Sequence, residues 1–323
     1  MIGTSIKKAI TYLQQDEVIG VPTETVYGLA ANAYKPLAVE KIYRIKQRPY
    51  TKPLNVVIQK AADVYNVAAS FPKLAQRLAN VFWPGPLTLI LPKSRAVPGI
   101  VTNNLPIIGV RLSSNEILRT LLQHILPAPL VIPSANITGH LSPTTPQQVQ
   151  DTLGNQLPYI LDGGPSPIGL ESTIIGHLDQ PQPTIFRLGA ITIPQIEKVI
   201  GSVQYHLQIM PIANNSLPTA PRRVQTPLYL GNIPQLIASH RNKKIGVLSF
   251  NTLINNVPPQ HQICLSPKGH LKEAAQKLYA ALHQLDQMQL DIIIAPIFPN
   301  SGLGHAINER LLRLHRQTTY PTH

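Results

Sequence analysis

Short apolar runs rich in β-branched residues alternate with segments of helical period along the first two hundred residues, and this alternation constrains the fold more than any other feature. Strands are predicted at 17–21, 54–58, 87–91, 107–112, 130–134, 159–162, 171–178 and 184–188, each bounded by Gly, Pro or polar turn residues. Helical spacing of apolar residues marks 4–15, 36–46, 73–82, 115–125, 146–153 and 194–200. Such interleaving predicts an α/β layered domain. Several strands follow one another with no helix between them, which predicts a mixed sheet.

With 323 residues the chain is long enough for two domains. The stretch 207–227, LQIMPIANNSLPTAPRRVQTP, lacks periodicity, is dense in proline and reads as a linker. The predicted organisation is a catalytic domain over 1–206, a linker over 207–227 and a smaller α/β domain over 228–323. In the last of these a helix at 233–240 precedes the strand KKIGVLSF, a long helix covers 270–287, and the strand DIIIAPI leads into a helix at 304–316. A parallel sheet is expected there.

Charge narrows the partners. Lys and Arg outnumber Asp and Glu by 28 to 15, and the excess is spread over both halves of the chain. A basic globular protein meets polyanions such as nucleotides or nucleic acid, unless the charge serves solubility alone. The single cysteine, Cys264, excludes an intrachain disulfide, and no Cys/His cluster suggests zinc. The N-terminal MIGTSIKKAITYLQQDE reads as an amphipathic helix and not as a signal peptide, and the apolar runs are too short to span a bilayer. A cytoplasmic setting is expected.

The densest cationic stretch is KIYRIKQRPYTKPL. In a helix over 36–46, Val39, Ile42, Tyr43 and Lys46 share one face. Lys41 and Arg44 lie on another stripe and read as a solvated surface. Lys46 ends the apolar face, where an ammonium needs an anion or water. Pro49 turns the chain extended at Arg48, and Lys52 stands at the entry to a buried strand. These three cations form either a phosphate clamp or a surface patch.

Other stretches place short polar groups at strand ends. VPTETVYGLAAN offers Thr23, Glu24 and Thr25 after a short strand, and PSANITGHLSPTT offers Ser134, Asn136, Thr138 and Ser142. A helix cap at Thr144 or Thr145 explains the threonines there, but not Ser134 and Asn136. The glycines of DGGPSPIGLESTIIG permit close backbone approach to a ligand. Arg111 and Arg187 lie on or at the ends of strands, and each needs a carboxylate or phosphate. No GxxxxGK[ST] loop or GxSxG elbow is present, and GLGHAIN reads as a tight turn.

Taken together, VPTETVYGLAANA, KIYRIKQRPYTKPL, FWPGPLTLIL, GVRLSSN, PSANITGHLSPT, DGGPSPIGLEST and FRLGAIT resemble the YrdC-like family in order and spacing. APIFPNSGLGHAINERLLRLH resembles the extra domain of its long, two-domain members. The resemblance implies a twisted mixed α/β sheet with a deep basic cavity, followed by a small Rossmann-like domain. It implies synthesis of L-threonylcarbamoyl-AMP, with pyrophosphate, from ATP, L-threonine and bicarbonate, Mg²⁺ entering with ATP. The product would pass to a downstream tRNA-modifying threonylcarbamoyl transferase complex, with direct tRNA contact left open.

By that resemblance Lys46, Arg48, Ser134 and Asn136 form the central polar group around the phosphates. Arg48, Lys52, Ser134, Ser142 and Arg187 would contact ATP, and Thr25, Arg111 and Ser172 would contact threonine. No metal-holding residues are expected. Three positions depart from the family: Ile132 and Ile107 replace hydroxyl-bearing residues, and TAPRRVQTPLYL stands where a His-Tyr-Ala-Pro lid is usual, with Tyr229 past its place and Arg222 or Arg223 as substitutes. A non-catalytic RNA-binding protein using the same basic cavity is the alternative. Carbamoyl transfer in metal-centre maturation would need accessory domains for which this chain has no room.

Overall fold

The computed structural model describes residues 1–125, 127–205 and 225–319, with side chains up to residue 315. The chain divides into two compact units. The first comprises Met1–Thr138, Ser142–Pro167 and Glu171–His206. The second comprises Gly139–Leu141, Ile168–Leu170 and Leu207–His323. Most of the predicted linker, 207–224 with Arg222 and Arg223, lies outside the described residues.

The first unit is built on a mixed sheet of eleven strands among the described residues. In chain order these are β1 (Ile2–Gly3), β2 (Ile19–Val21), β3 (Gly28–Asn32), β4 (Asn55–Val57), β5 (Leu87–Pro92), β6 (Ile107–Arg111), β7 (Leu130–Val131), β8 (Ile160–Leu161), β9 (Thr173–Gly176), β10 (Thr184–Arg187) and β11 (Gln204–Tyr205). They lie in the order β1-β8-β2-β3-β7-β4-β6-β5-β9-β10-β11. The mixed character follows from the connections. β2 and β3 form a hairpin, whereas β4 and β6 are parallel with crossover structure between them.

One face of this sheet is covered by helices Ile6–Gln14 and Glu116–His124. Their apolar stripes bury Leu13, Leu118, Leu121 and Leu122 against Ile19, Val21, Ala30 and Leu130. The helix Pro36–Ile45 starts with proline at its first turn, where the missing N–H costs nothing, and buries Val39, Ile42 and Tyr43.

The way this helix ends matters for the site. Gln47 adopts a left-handed conformation, φ +47°. Its N–H bonds back to the Arg44 carbonyl at 3.1 Å, and the Arg48 N–H to the Tyr43 carbonyl at 2.8 Å. This is a Schellman stop. It reverses the chain at once, so Lys46 stays on the buried side and Arg48 swings back towards the start of β4.

The second unit carries a four-stranded sheet of β12 (Leu228–Leu230), β13 (Ile245–Ser249), β14 (Gln262–Cys264) and β15 (Ile292–Ala295), in the order β12-β15-β13-β14. All three pairings are parallel, as expected from sequence. The helix Leu271–Asp286 buries Ala274, Ala275, Leu278, Leu282 and Leu285, and the helix Leu303–Thr319 follows β15. No described helix is long and apolar enough to cross a membrane.

Because a non-glycine residue in the left-handed region carries a strain of about 1–2 kcal/mol, Gln47→Gly is expected to leave stability unchanged or raise it. Gln47→Val, β-branched at the same φ, is expected to lower it by a similar amount. Urea unfolding of both variants checks this.

Candidate active site

Lys46 is the centre of the polar arrangement in the first unit. It is 1% exposed, among the largest fully buried side chains of the described residues. Its Nζ donates to the main-chain carbonyls of Ser134 at 2.5 Å and Asn136 at 2.6 Å, and more weakly to Asn136 Oδ1 at 3.4 Å. An ammonium has three donors, and all three are engaged. The Lys46 carbonyl in turn accepts from the Thr138 N–H at 2.7 Å. One side chain thus pins the loop after β7 to the end of a helix far away in sequence. Burial, with the nearby Arg48 charge second, pulls the Lys46 pKa well below the ordinary lysine value.

Arg48 donates from Nε to the Lys52 carbonyl at 3.0 Å and from Nη2 to the Pro53 carbonyl at 2.8 Å. Burial draws its pKa down, yet a guanidinium remains charged. Lys46 and Arg48 therefore lie close enough to feel each other's charge, but both spend hydrogen bonds on shaping the backbone. Lys41, read as a solvated cation, instead pairs with Glu17 at 2.7 Å at the surface, while Arg44 is exposed. Tyr43 donates to the Lys52 and Ile100 carbonyls at 3.1 and 3.2 Å and stacks on exposed Tyr50.

The second cluster gathers around Arg111 at the end of β6. Its Nη2 lies 2.7 Å from Glu24 Oε1 and donates to Thr25 Oγ1 at 3.1 Å. Ser113 Oγ donates to the other Glu24 oxygen, Oε2. Thr25 also shares a 2.9 Å hydroxyl contact with Thr23. The strand arginine thus finds its carboxylate within the protein, in the β2–β3 hairpin loop. Burial pushes the Glu24 carboxyl up, but the Arg111 charge and the bonds from Arg111 and Ser113 outweigh it and hold it below the ordinary value.

The third cluster joins Ser172 to Arg187. Arg187 donates from Nη2 to Ser172 Oγ at 2.8 Å and from Nε to the Ser172 carbonyl at 3.0 Å. Ser172 Oγ also lies 2.8 Å from Thr88 Oγ1. Thr88 sits directly opposite Arg111 in the antiparallel β5–β6 pair, so both side chains stand on one face of the sheet. Glu171, the neighbour of Ser172, accepts from Ser142 Oγ at 2.9 Å.

Backbone hydrogen bonds close these clusters into one arrangement. The Ala135 N–H donates to the Tyr27 carbonyl at 2.8 Å, and the Tyr27 N–H to the Pro143 carbonyl at 2.9 Å. The loop bearing Ser134, Asn136 and Ser142 is thereby laid along the hairpin bearing Thr25. Every residue singled out from sequence, namely Thr25, Lys46, Arg48, Lys52, Arg111, Ser134, Asn136, Ser142, Ser172 and Arg187, belongs to one of these clusters or to the segments joining them. Sequence reasoning missed Thr88 and Ser113. It noted Glu24 without a partner, although the need of Arg111 for a carboxylate was the signal.

The reading of the glycines narrows. Of the two glycines that follow β8, Gly163 is packed closed, whereas Gly164, at φ +71°, has open space where a Cβ would stand. Gly163 N–H donates to Tyr27 Oη at 3.1 Å, Tyr27 Oη donates to the Gly164 carbonyl at 2.8 Å, and a Cβ on Gly163 would stand 2.7 Å from Pro22. Gly163 is a packing glycine, and burial at Tyr27 pushes its phenol up to about 12. Ile132 joins the apolar cluster below the hairpin, and Ile107 is 45% exposed at the start of β6. Tyr229 lies in β12 against His240 and His315, half-buried beside the core of the second unit.

Comparison with known proteins also divides the chain in two, near residue 190. The Sua5/YciO/YrdC domain family, described as telomere recombination, matches residues 11–189. The family described as threonylcarbamoyl-AMP synthase, C-terminal domain, matches residues 191–313. A threonylcarbamoyl-AMP synthase of Pyrococcus abyssi is 33% identical over 95% of this chain and 92% of its own length. One of Bacillus subtilis is 35% identical over the same shares. The crystal structure of P. abyssi Sua5 complexed with L-threonine superposes with a TM-score of 0.88 at 31% identity, covering 98% of both chains.

Two outcomes are expected. A Cβ on Gly28 would stand 2.3 Å from Ile132 Cγ2 and 3.0 Å from the Pro133 carbonyl. Gly28→Ala should therefore cost about 1–3 kcal/mol by overpacking, and combining it with Ile132→Ala should be less than additive in chemical unfolding. The folded-state pKa of Glu24 lies below 4.5, so its ionised pairing stabilises fully above that pH and is lost as pH falls below it. The stability difference between wild type and Glu24→Gln should be flat from neutral pH down to that point and shrink beneath it.

Proposed function

We propose the following reaction for this chain, which belongs to the two-domain threonylcarbamoyl-AMP synthase family: ATP, L-threonine and bicarbonate give L-threonylcarbamoyl-AMP, pyrophosphate and water. The enzyme is then a nucleotidyltransferase that works in the cytoplasm. Its product would supply a downstream threonylcarbamoyl transferase complex that modifies tRNA. The observation that carries this reading is the joined arrangement of Lys46, Ser134 and Asn136 with Thr25 and Arg111. It sets cations and small polar groups suited to phosphates beside an arginine suited to an amino-acid carboxylate.

In this mechanism the threonine amine takes up carbon dioxide from bicarbonate to form a carbamate. A carbamate oxygen then attacks the α-phosphate, and pyrophosphate leaves with the electrons of the broken P–O bond. Such a transfer needs positioning and charge stabilisation rather than a covalent nucleophile. Arg111 would hold the threonine carboxylate, with the Thr25 and Ser172 hydroxyls beside it. Arg48, Lys52, Ser142 and Arg187 would line the nucleotide.

Lys46 would act chiefly as fixed positive charge and as the post that shapes the Ser134–Asn136 loop, since its three donors are already engaged. Its 3.4 Å contact to Asn136 Oδ1 is the weakest of them and the one a phosphate oxygen would replace. Mg²⁺ would arrive on the triphosphate and neutralise its charge. Among the described residues no group of three His, Cys, Asp or Glu side chains could hold a metal, so phosphate and water oxygens would fill its shell.

The test is pyrophosphate release by the purified protein, with and without L-threonine, in bicarbonate buffer, with serine as control. Release that depends on threonine and bicarbonate is expected. Steeply salt-dependent RNA binding without any such release would replace this reading with that of a non-catalytic RNA-binding protein. Within the active protein, Lys46→Ala should lower turnover on the order of a hundredfold or more, whereas Lys41→Ala, which removes the pair with Glu17 and a bond to the Asp16 carbonyl away from the site, should leave it almost intact.

A further inference from the structure

We propose that Glu24 is a positioning residue for the amino-acid substrate: it orients Arg111 and thereby sets the affinity for threonine, resting on the reaction proposed above. The carboxylate is 4% exposed and held from two sides. Arg111 Nη2 approaches Oε1 at 2.7 Å, and Ser113 Oγ donates to Oε2. The Ser113 oxygen also accepts the Asn115 N–H at 3.2 Å, which ties this anchor to the start of the helix Glu116–His124. Glu24 is thus fastened to the scaffold on the side away from Arg111.

Two roles are open to a carboxylate in this place. It can stand where a substrate carboxylate would bind and leave when the substrate arrives, or it can stay and hold the guanidinium in one orientation. Three observations favour the second. The Ser113 anchor and the burial make displacement costly, since a buried carboxylate moved from its partners loses both solvation and pairing. Its neighbour Thr25 uses the same Nη2 at 3.1 Å, so the guanidinium is fixed by two adjacent residues of one hairpin loop. Arg111 Nε, meanwhile, is buried with no hydrogen-bond partner among the described residues. A buried guanidinium N–H is expensive to leave unpaired, and an arginine presents its donors as a planar fork that matches a carboxylate. With Glu24 in place, the guanidinium keeps a donor unused and its plane fixed.

A positioning role predicts a selective kinetic change. Glu24→Gln keeps the size of the side chain and removes its charge. The KM for L-threonine, and its dissociation constant by calorimetry without ATP, should rise about tenfold or more. The KM for ATP and kcat at saturating threonine should stay near the wild-type values. Ser113→Ala, which loosens the anchor but leaves the ion pair, should shift threonine affinity in the same direction by a smaller factor, and it serves as the test if Glu24→Gln does not fold.

Threonine affinity that is unchanged or tighter in these variants would overturn the proposal, the latter by showing that Glu24 competes with the substrate. A parallel loss in kcat and in ATP affinity would also overturn it, in favour of a general structural role. Wild-type protein that neither binds threonine nor releases pyrophosphate would instead overturn the reaction itself, so the two failures are distinguishable.

Discussion

A single buried ammonium organises this protein's candidate active site. Lys46 closes the helix Pro36–Ile45 from the inside and spends its three donors on the loop after β7. Burying a lysine charge costs several kcal/mol unless acceptors surround it, and here the acceptors are two carbonyls and a side-chain amide oxygen. The cost falls on the protonated form, which is why its pKa is depressed. Much of what lies around it depends on that bond set. The loop bearing Ser134 and Asn136 is fixed by it, and through Ala135, Tyr27 and Pro143 that loop is continuous with the β2–β3 hairpin.

From this anchor the polar groups extend along the sheet in a connected order. Thr25 and Glu24 meet Arg111, Arg111 stands opposite Thr88, Thr88 touches Ser172, and Ser172 holds Arg187. Each cation is oriented by groups of the protein before any anion arrives. Preorganisation of this kind suits transfer of an adenylyl group, where the protein supplies field and position rather than a bond of its own.

Much of the architecture was legible in the sequence because its causes are local. Apolar residues at helical spacing marked Pro36–Ile45 and Leu271–Asp286, and runs such as LTLIL marked β5. β3 was not, since GLAAN has little intrinsic strand character. Its small residues are explained by the close approach of Ile132 and Pro133 to Gly28, a tertiary fact. The two-residue strands β1 and β11 are likewise defined by their partners. In the site, the burial of Lys46 could be read from its place at the end of an apolar face. The commitment of its donors to carbonyls could not, and neither could the pairing of Arg111 with Glu24, which lies on a distant segment. Gly163 misled for the same reason: its close approach is to Tyr27 and Pro22, while Gly164 keeps open space at its Cβ position.

The claim that Lys46 orders the site is tested most directly by hydrogen exchange. Amide exchange across residues 134–138 would be compared between wild type and Lys46→Met, which keeps the length of the side chain and removes the ammonium. The account predicts faster exchange in that loop, with the cluster of Leu13, Leu118 and Leu121 still protected, and a loss of ATP affinity. Unchanged protection of residues 134–138 in the variant would contradict it.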